Sequence, residues 1–236
     1  MANNYFQFKQ FIIRQDKCAM KVCTEACLFA AIVANEKIIM NQCLDIGTGT
    51  GLLSLMLAQK NDTVQVDAVE IDADAALQAA ENINASPWAN RIKVLNKDIL
   101  TCTLQPGYDC IISNPPFYEN QLQSNNESIN KARHNSSLCI KHLINIVFKN
   151  LSARGTFAIL LPYQRIDIFK LACAKAGLYL YKEILVSQTE KHSFFRGILF
   201  FKKEICNTHF DSLTIMNNNQ YSNEFKLLLQ DYYLNL

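Results

Sequence analysis

The sequence predicts an α/β fold built on a mainly parallel sheet of seven strands with an antiparallel edge strand. Short apolar runs alternate with longer amphipathic segments along most of the 236 residues. A glycine-rich loop joins the first of these runs to a helical segment. The last two runs have no helix between them, so we expect them to pair antiparallel, because a parallel pair needs a long crossover.

The elements of this sheet follow from composition and spacing. Each predicted strand is a short run rich in Val, Ile, Leu or Cys that ends at polar or turn residues. Between them lie segments with apolar residues at helical spacing. The predicted strands are residues 43–46, 64–71, 92–95, 108–113, 156–161, 179–187 and 197–202. The predicted helices of this part are residues 52–59, 73–85, 138–151, 166–176 and 223–233.

The first 40 residues are predicted to be a separate extension. Residues 6–15 alternate partly between apolar and polar, and Asp16-Lys17 precedes a second short run, which indicates a hairpin turning at residues 16–17. A helix over residues 24–34 follows, with Thr24 as its N-cap. We therefore divide the chain into an extension, residues 1–40, and a second domain, residues 41–236.

Composition indicates a globular protein without a membrane segment or a metal. Half of the residues are hydrophobic and 19% are charged. The sequence contains neither an apolar run of the roughly 20 residues that cross a bilayer nor a signal peptide pattern, so we expect a cytoplasmic location. Nine cysteines are present, and Cys18, Cys23 and Cys27 match no zinc or iron–sulfur spacing. We expect reduced, buried thiols and no metal site.

Charge is distributed unevenly although the net charge is only +2. Residues 41–117 hold four Lys/Arg and nine Asp/Glu, whereas residues 118–203 hold thirteen and five. The second segment, with a net charge of +8, is suited to attract a polyanion. The alternative interpretation is a set of solvated lysines on helix faces.

The glycine loop, residues 45–51, reads D-I-G-T-G-T-G. It precedes a helix whose N-terminal N–H groups are available to a ligand. The loop lacks the Gly-Lys-Ser/Thr ending of a nucleotide-triphosphate loop and is one residue short of a dinucleotide fingerprint. Asp45 would repel a pyrophosphate but suits a ligand that carries an ammonium group.

Two further acids complete a pattern on successive strands. Glu70 ends the second strand of the sheet, where a carboxylate accepts hydrogen bonds from ribose hydroxyls. Asp98 follows the third strand and is placed to accept from an adenine amino group. A glycine loop and these two acids indicate a ligand that contains adenosine but no phosphates. S-adenosylmethionine is such a ligand.

The fourth strand ends in N-P-P-F, which comprises Asn114, Pro115, Pro116 and Phe117. With the upstream motifs, this chain resembles the class I S-adenosylmethionine-dependent amino methyltransferases, which carry this signature and methylate planar nitrogens. The Asn114 side-chain oxygen and the Pro115 carbonyl would each accept one N–H of the target amine, which directs its lone pair and stabilises the developing positive charge. The prolines hold these acceptors rigid, and Phe117 stacks on the flat base.

A narrower resemblance extends over nearly the whole chain. F-K-Q-F, D-K-C-A-M-K-V, N-I-N-A-S-P-W and Q-Y-S-N-E resemble the bacterial tRNA adenine-N6 methyltransferases that modify position 37, beside the anticodon, in valine tRNA. Two departures are Cys23, where we expect Gly, and Phe117, where Tyr is commoner. The resemblance implies a Rossmann-like class I methyltransferase domain and places Lys21 and Thr24 at the methionine end of the cofactor. The cofactor-binding residues predicted in this way are Lys21, Thr24, Asp45, Gly47, Thr48, Gly49, Gly51, Glu70, Ile71, Asp98, Ile99 and Asn114.

An RNA surface is predicted from cations around the flexible-looking stretch 120–130. We expect the RNA to approach between this basic side and the N-terminal hairpin, and the alternative for each residue is ordinary surface charge. No obligate protein partner is indicated. The predicted RNA-binding residues are Lys9, Arg14, Lys131, Arg133, His134, His192 and Arg196.

The sequence leaves several other functions open. A glutamine methyltransferase of peptide release factors shares the N-P-P-F chemistry, but would carry a helical domain before the glycine loop. A ribosomal RNA guanine-N2 methyltransferase would carry a duplicated N-terminal domain, and a DNA adenine methyltransferase a target-recognition domain. A binding module with an inactive cofactor fold is disfavoured by the intact Glu70, Asp98 and Asn114.

Overall fold

The structure is a computed structural model that describes residues 3–18, 20–115 and 140–236. Its strands are β1 (Tyr5–Gln7), β2 (Ile12–Arg14), β3 (Gln42–Ile46), β4 (Gln65–Glu70), β5 (Ile92–Asn96), β6 (Tyr108–Ser113), β7 (Leu151–Pro162), β8 (Tyr179–Thr189), β9 (Phe194–Lys202), β10 (His209–Asn217) and β11 (Gln220–Tyr221). The helices of the described residues are α1 (Thr24–Asn35), α2 (Leu52–Lys60), α3 (Ala73–Asn84), α4 (Ile140–Asn150), α5 (Ile166–Lys175) and α6 (Asn223–Leu229). None of these helices is long and apolar enough to span a bilayer.

The sheet is large and mixed, and its order is β11-β10-β8-β9-β7-β6-β3-β4-β5. The strands from β7 to β5 in this order run parallel, and β9 runs antiparallel to both neighbours, β7 and β8. The predicted α/β fold and the antiparallel pairing of the last two predicted strands are therefore confirmed. The parallel strands place all their C-terminal ends on one side, called here the carboxyl edge.

The predicted strand count and edge position are wrong. The sheet has nine strands rather than seven, because β10 pairs with β8 and β11 pairs with β10. The antiparallel strand β9 therefore lies inside the sheet. The first four residues of β10 are exposed, and apolar alternation begins only at Leu213, so the pattern that marks a half-buried strand is short.

The N-terminal hairpin forms, but its turn differs from the prediction. β1 pairs with β2, and the turn lies at Phe8–Phe11, where the Phe8 N–H donates to the Phe11 carbonyl. The rings of Phe8 and Phe11 stack with centroids 4.5 Å apart. The residues around Asp16-Lys17 instead run along α3, because the Lys17 N–H donates to the side chain of Gln78.

Two apolar clusters cover the two faces of the sheet. The larger one contains the hairpin side chains Phe8, Phe11 and Ile13 with α1, α2, α3 and α6, and the smaller one contains α4 and α5. Successive residues of β3 belong to different clusters, since Cys43 faces the larger cluster and Leu44 the smaller one. The extension is thus part of the main core, and the domain boundary at residue 40 stays a prediction.

Candidate active site

The predicted site residues converge on the carboxyl edge of the sheet. Ile46 of β3 pairs with Ser113 of β6 on one side and with Val69 of β4 on the other. Glu70 pairs with Asn96 at the end of β5. The glycine loop, the two acids and Asn114 therefore follow four neighbouring strands, in the arrangement that the sequence predicts.

Asp45 is a fully buried carboxylate with one oxygen unpaired. Its Oδ2 accepts hydrogen bonds from Thr48 Oγ1 and Ser54 Oγ, both at 2.7 Å. Its Oδ1 is buried and has no hydrogen-bond partner in the described part of the chain. Burial raises the pKa of Asp45 to about 6, against the lowering effect of those two hydroxyls, and the nearby Glu70 adds to the rise. Such an oxygen fits a ligand that brings a positively charged N–H donor.

The backbone of the glycine loop leaves open space where a ligand would lie. Gly47 and Gly49 have φ of +74° and +56°, which L side chains rarely adopt. A Cβ at either position would have nothing within 4 Å. The loop therefore presents bare backbone beside the unpaired Asp45 oxygen, and these features together fit the adenosine and amino acid ends of S-adenosylmethionine. Gly51 is the N-cap of α2 behind this surface.

The Glu70 carboxylate is held by two backbone N–H groups, one from the glycine loop and one from the turn after β4. Its Oε2 accepts from Gly49 N at 2.9 Å and its Oε1 from Asp72 N at 3.0 Å. Each carboxylate oxygen retains a second lone pair, which leaves acceptors for ribose hydroxyls. Ile71 beside it is 55% exposed, and the Asn96 amide donates to the Glu70 carbonyl at 3.0 Å. Sequence reasoning did not identify this supporting role of Asn96.

Asp98 forms a turn immediately after β5. Its Oδ1 accepts from Leu100 N at 2.9 Å, and its carbonyl accepts from Cys102 N at 2.9 Å. The Asp98 side chain is half-buried, so it is accessible from the carboxyl edge. Ile99 packs partly against the smaller apolar cluster.

The start of α1 differs from the prediction. Cys23 is the N-cap and makes no side-chain capping bond, whereas Thr24 is the first helical residue. Thr24 is half-buried and Lys21 is exposed. Burial raises the pKa of Cys23 to about 11, so its thiol stays protonated. The cysteines of the described residues are free, and no metal-binding cluster occurs among those residues.

Buried amides attach residues 14–18 and 20–22, called here the strap, to α3. Asn82 forms a hydrogen-bonded pair with the backbone of Arg14, at 2.8 and 2.9 Å, and also donates to the Thr50 carbonyl in the glycine loop at 2.9 Å. Gln78 accepts from Lys17 N at 3.0 Å. These residues were not identified as functional from the sequence, because nothing local reveals a partner about 60 residues away. The motif N-I-N-A-S-P-W thus fastens the N-terminal segment, as Trp88 also does by its edge contact with Phe11, 5.8 Å between centroids.

Asn114 and Pro115 are half-buried and follow β6 directly. The preceding residue, Ser113, donates from Oγ to the Ile46 carbonyl at 2.9 Å, which joins this strand end to the strand that carries the glycine loop. The other predicted residues of this side, Pro116, Phe117, Lys131, Arg133 and His134, lie outside the described residues.

Of the remaining predicted RNA-binding residues, three lie near the carboxyl edge or the glycine loop and one does not. Arg196 pairs in register with Pro162, the last residue of β7, and its guanidinium lies 3.5 Å from Glu25 of α1. His192 lies in the loop just before it, with Nδ1 2.7 Å from Thr189 Oγ1. Arg14 lies beside the glycine loop through Asn82.

Lys9 is the exception. Its Nζ donates to the Gln230 carbonyl at 2.6 Å, and it borders a polar pocket with Lys60 at the end of α2. Because α2 begins at the glycine loop, its last residue lies at the opposite edge of the sheet. The structure therefore does not bring Lys9 together with the other predicted RNA-binding residues.

Comparison with known proteins assigns this fold to the methyltransferases. The family model described as Methyltransferase small domain matches residues 21–142. Among solved structures, a predicted O-methyltransferase from Agrobacterium tumefaciens has a TM-score of 0.68 at 16% identity, covering 87% of this chain and 95% of the other. A methyltransferase from Pyrococcus furiosus has a TM-score of 0.53 at 24% identity, covering 75% and 83%. The fold and the site define a class I methyltransferase, and its cofactor is S-adenosylmethionine.

Curated relatives narrow this class further. A Bacteroides thetaiotaomicron protein is 39% identical over 239 residues, and the match covers all of both chains. This relative is named tRNA1(Val) (adenine(37)-N6)-methyltransferase, and two further relatives carry the same name. The one from Dyadobacter fermentans is 41% identical, and the match covers 85% of this chain and 83% of the relative. The one from Escherichia fergusonii is 38% identical, and the match covers 99% of this chain and 96% of the relative. The chain belongs to the tRNA1(Val) (adenine(37)-N6)-methyltransferase family.

Proposed function

We propose that this enzyme methylates N6 of adenine 37 in valine tRNA, with S-adenosylmethionine as methyl donor. The observation that carries the proposal is the hydrogen bond from Ser113 Oγ to the Ile46 carbonyl. It joins the end of β6, which Asn114 follows, to the strand that carries the glycine loop, so a target amine held by Asn114 would lie next to a cofactor held by that loop. The names of the relatives supply the identity of the substrate.

The cofactor would be held by groups already described. The unpaired Asp45 Oδ1 would accept from its ammonium group, Glu70 from its ribose hydroxyls, and Asp98 from its adenine amine. Ile71 would pack on the adenine ring, and Lys21 and Thr24 would lie at the methionine end. The bound cofactor supplies an electrophilic methyl group.

The target nitrogen is a weak nucleophile, because its lone pair is delocalised into the adenine ring. The Asn114 side-chain oxygen and the Pro115 carbonyl would each accept one of its N–H bonds. These two directed acceptors turn the lone pair toward the methyl group and stabilise the positive charge that forms on nitrogen during transfer. Pro115 holds its own carbonyl in a restricted backbone geometry.

The RNA would lie over the carboxyl edge. Arg14 borders this edge on one side of the glycine loop and Arg196 on the side of β7. The segment 118–203, with a net charge of +8, provides the sign of charge that phosphates require. A tRNA substrate also supports a cytoplasmic location.

A methyl-transfer assay with an Asn114→Ala variant tests this proposal. Unmodified valine tRNA, the same tRNA with guanine at position 37, a release factor and duplex DNA would be incubated separately with labelled cofactor. We expect N6-methyladenosine only in the first RNA. In the variant we expect kcat to fall roughly 100- to 1,000-fold, while the cofactor dissociation constant changes little.

Asn84→Ala is the matched control, because Asn84 ends α3 and is exposed. It should retain wild-type kcat. Label in the release factor or in DNA, or full activity of Asn114→Ala, would contradict the proposed substrate or the proposed role of the strand end.

A further inference from the structure

A pocket of about 400 Å³ opens where β8 turns into β9. Its lining residues are Gln188, His192, Ser193, Phe194 and Phe195. Because Arg196 is in register with the last residue of β7, the loop before it lies just beyond the carboxyl edge. The volume lies in the range of roughly 300–1,000 Å³ that is typical of small-molecule sites.

Two aromatic rings beside this pocket are not used by the core. Phe194 and Tyr163 pair with centroids 6.0 Å apart, at an interplanar angle of 41°. Tyr163 is 43% exposed, and neither residue belongs to the two apolar clusters. Two neighbouring aromatic rings that the core does not use offer a stacking surface to a flat partner.

The rim of the pocket carries basic side chains. Lys191 and His192 are exposed, and Arg196 lies with its guanidinium 5.5 Å from the Phe195 ring centroid. Two acids lie nearby as well, since Glu190 accepts from the Asn217 amide and Glu25 lies against Arg196. Aromatic faces bordered by cations are the composition of sites that bind unpaired nucleotides.

We propose that this pocket binds a second unpaired nucleobase of the RNA, one that flanks the target adenine in the anticodon loop. The inference rests on the proposed function. β9 lies two strands away from β6, so the pocket is roughly 10 Å to the side of the strand that carries Asn114. The base would stack on Phe194 and Tyr163, the Gln188 amide would face its polar edge, and the cations would contact its phosphate.

The proposal explains how the enzyme could hold a loop while one base is extruded. Extruding the target adenine breaks its stacking with its neighbours. A neighbouring base stacked on Phe194 and Tyr163 would regain a stacking partner on the protein. The pocket therefore contributes mainly to RNA affinity and to recognition of the loop, and not to the chemical step.

Binding and kinetics with an anticodon stem–loop RNA test the pocket. 2-Aminopurine is placed in turn at each nucleotide next to the target adenine, and its fluorescence is followed on binding to the wild type, Phe194→Ala and Tyr163→Ala. We expect the fluorescence change at one flanking position to be lost in both variants. We also expect KM for RNA to rise about tenfold, with kcat and the cofactor dissociation constant unchanged.

Phe194→Tyr keeps the stacking face and should restore the wild-type KM and fluorescence. Phe210→Ala is the control, because Phe210 is 71% exposed on β10, on the far side of β8. If the wild type methylates the RNA and both alanine variants match it in KM and fluorescence, the pocket proposal is overturned while the proposed function stands. If the wild type methylates no tRNA, the proposed function itself fails, and the pocket proposal fails with it.

Discussion

Asp45 lowers the free energy of unfolding of the cofactor-free protein at neutral pH. Its carboxylate is fully buried, one oxygen has no hydrogen-bond partner in the described chain, and its pKa is raised to about 6 mainly by burial. Because the folded state binds this proton more tightly than the unfolded state does, the contribution of Asp45 to the free energy of unfolding falls as pH rises from about 4 to about 6. The cofactor-free protein therefore tolerates this residue and does not gain stability from it.

Replacing Asp45 with Asn should separate binding from stability. An amide keeps the size of the side chain and removes the buried charge, so we expect an unfolding temperature equal to or above that of the wild type at pH 8. We expect the cofactor to bind roughly 10- to 100-fold more weakly, since a charge-assisted hydrogen bond is lost. Thermal unfolding and calorimetric titration measure the two effects, and a destabilised variant with normal affinity would contradict this view of Asp45.

The same carboxylate predicts a pH dependence of cofactor binding. A positively charged donor binds the ionised form, so affinity should fall about tenfold for each pH unit below about 6. Binding should also release protons near that pH, which can be measured by titration in buffers of different ionisation enthalpy. Asp45→Asn serves as the control, because its affinity should lack this transition.

The positions of the predicted site residues could be derived from the sequence more readily than those of the residues that support them. Asp45, Glu70, Asp98 and Asn114 each follow an apolar run, and parallel strands bring such positions to one edge whatever the details of packing. Asn82 could not be identified in this way, because its partner in the N-terminal segment is 68 residues away.

At the scale of the elements, the strap is the feature that joins the N-terminal hairpin to the cofactor site. The Gln15 side chain accepts from Val22 N at 2.8 Å, so the strap closes on itself. Cys18 lies within it, and its pKa is raised to about 11 by burial and then by the charges of Glu70 and Asp72. The strap therefore passes near the acid proposed to hold the ribose.

Removing the amide of Asn82 should loosen the strap and the glycine loop together. Asn82→Ala leaves the Arg14 backbone and the Thr50 carbonyl without partners, at a cost of about 2–4 kcal/mol in the free energy of unfolding. Because the strap passes near Glu70, which is proposed to hold the ribose, we expect KM for the cofactor to rise at least fivefold, while kcat at saturation is retained. Denaturant unfolding and steady-state kinetics measure both.

The neighbouring variant Asn84→Ala again provides the control, since Asn84 is exposed on the same helix. Loss of stability without a change in KM would show that Asn82 only supports the fold. Hydrogen exchange should distinguish the two cases directly, since residues 14–18 and 20–22 would exchange faster in Asn82→Ala.

The C-terminal elements show why the sheet could be predicted only in part. Asn218 and Asn219 adopt positive φ of 48° and 62° in the turn between β10 and β11, a conformation that Asn favours in tight hairpins. The two Asn residues therefore indicate a turn, but the strand before them could not be predicted because the first half of β10 is exposed and lacks apolar alternation. The last helix also ends at Leu229 rather than at residue 233, because Tyr232 turns inward and donates to the Met56 carbonyl at 3.0 Å.

At the scale of the whole molecule, the distribution of charge should govern RNA affinity. If three cations contact phosphates, the dissociation constant for tRNA should rise roughly 20- to 40-fold between 50 and 200 mM salt. Filter binding or fluorescence anisotropy across this range measures the slope. Cofactor affinity over the same range is the internal control, and a nearly flat slope for tRNA would contradict an RNA surface built on the segment 118–203.

The two ends of the chain also meet. Phe8 forms a bridge with Tyr233, Lys9 N donates to the Tyr232 carbonyl at 2.8 Å, and Phe6 contacts the Tyr233 ring at 5.6 Å between centroids. On the ribosome, the hairpin around Phe8 must therefore wait for Tyr233, a partner made much later in the sequence. At about 5–20 residues per second, that wait is roughly 10–50 s. Until residues 232 and 233 have been made, the aromatic side chains of the hairpin lack this cover, and transiently exposed apolar surface of this kind is what chaperones protect.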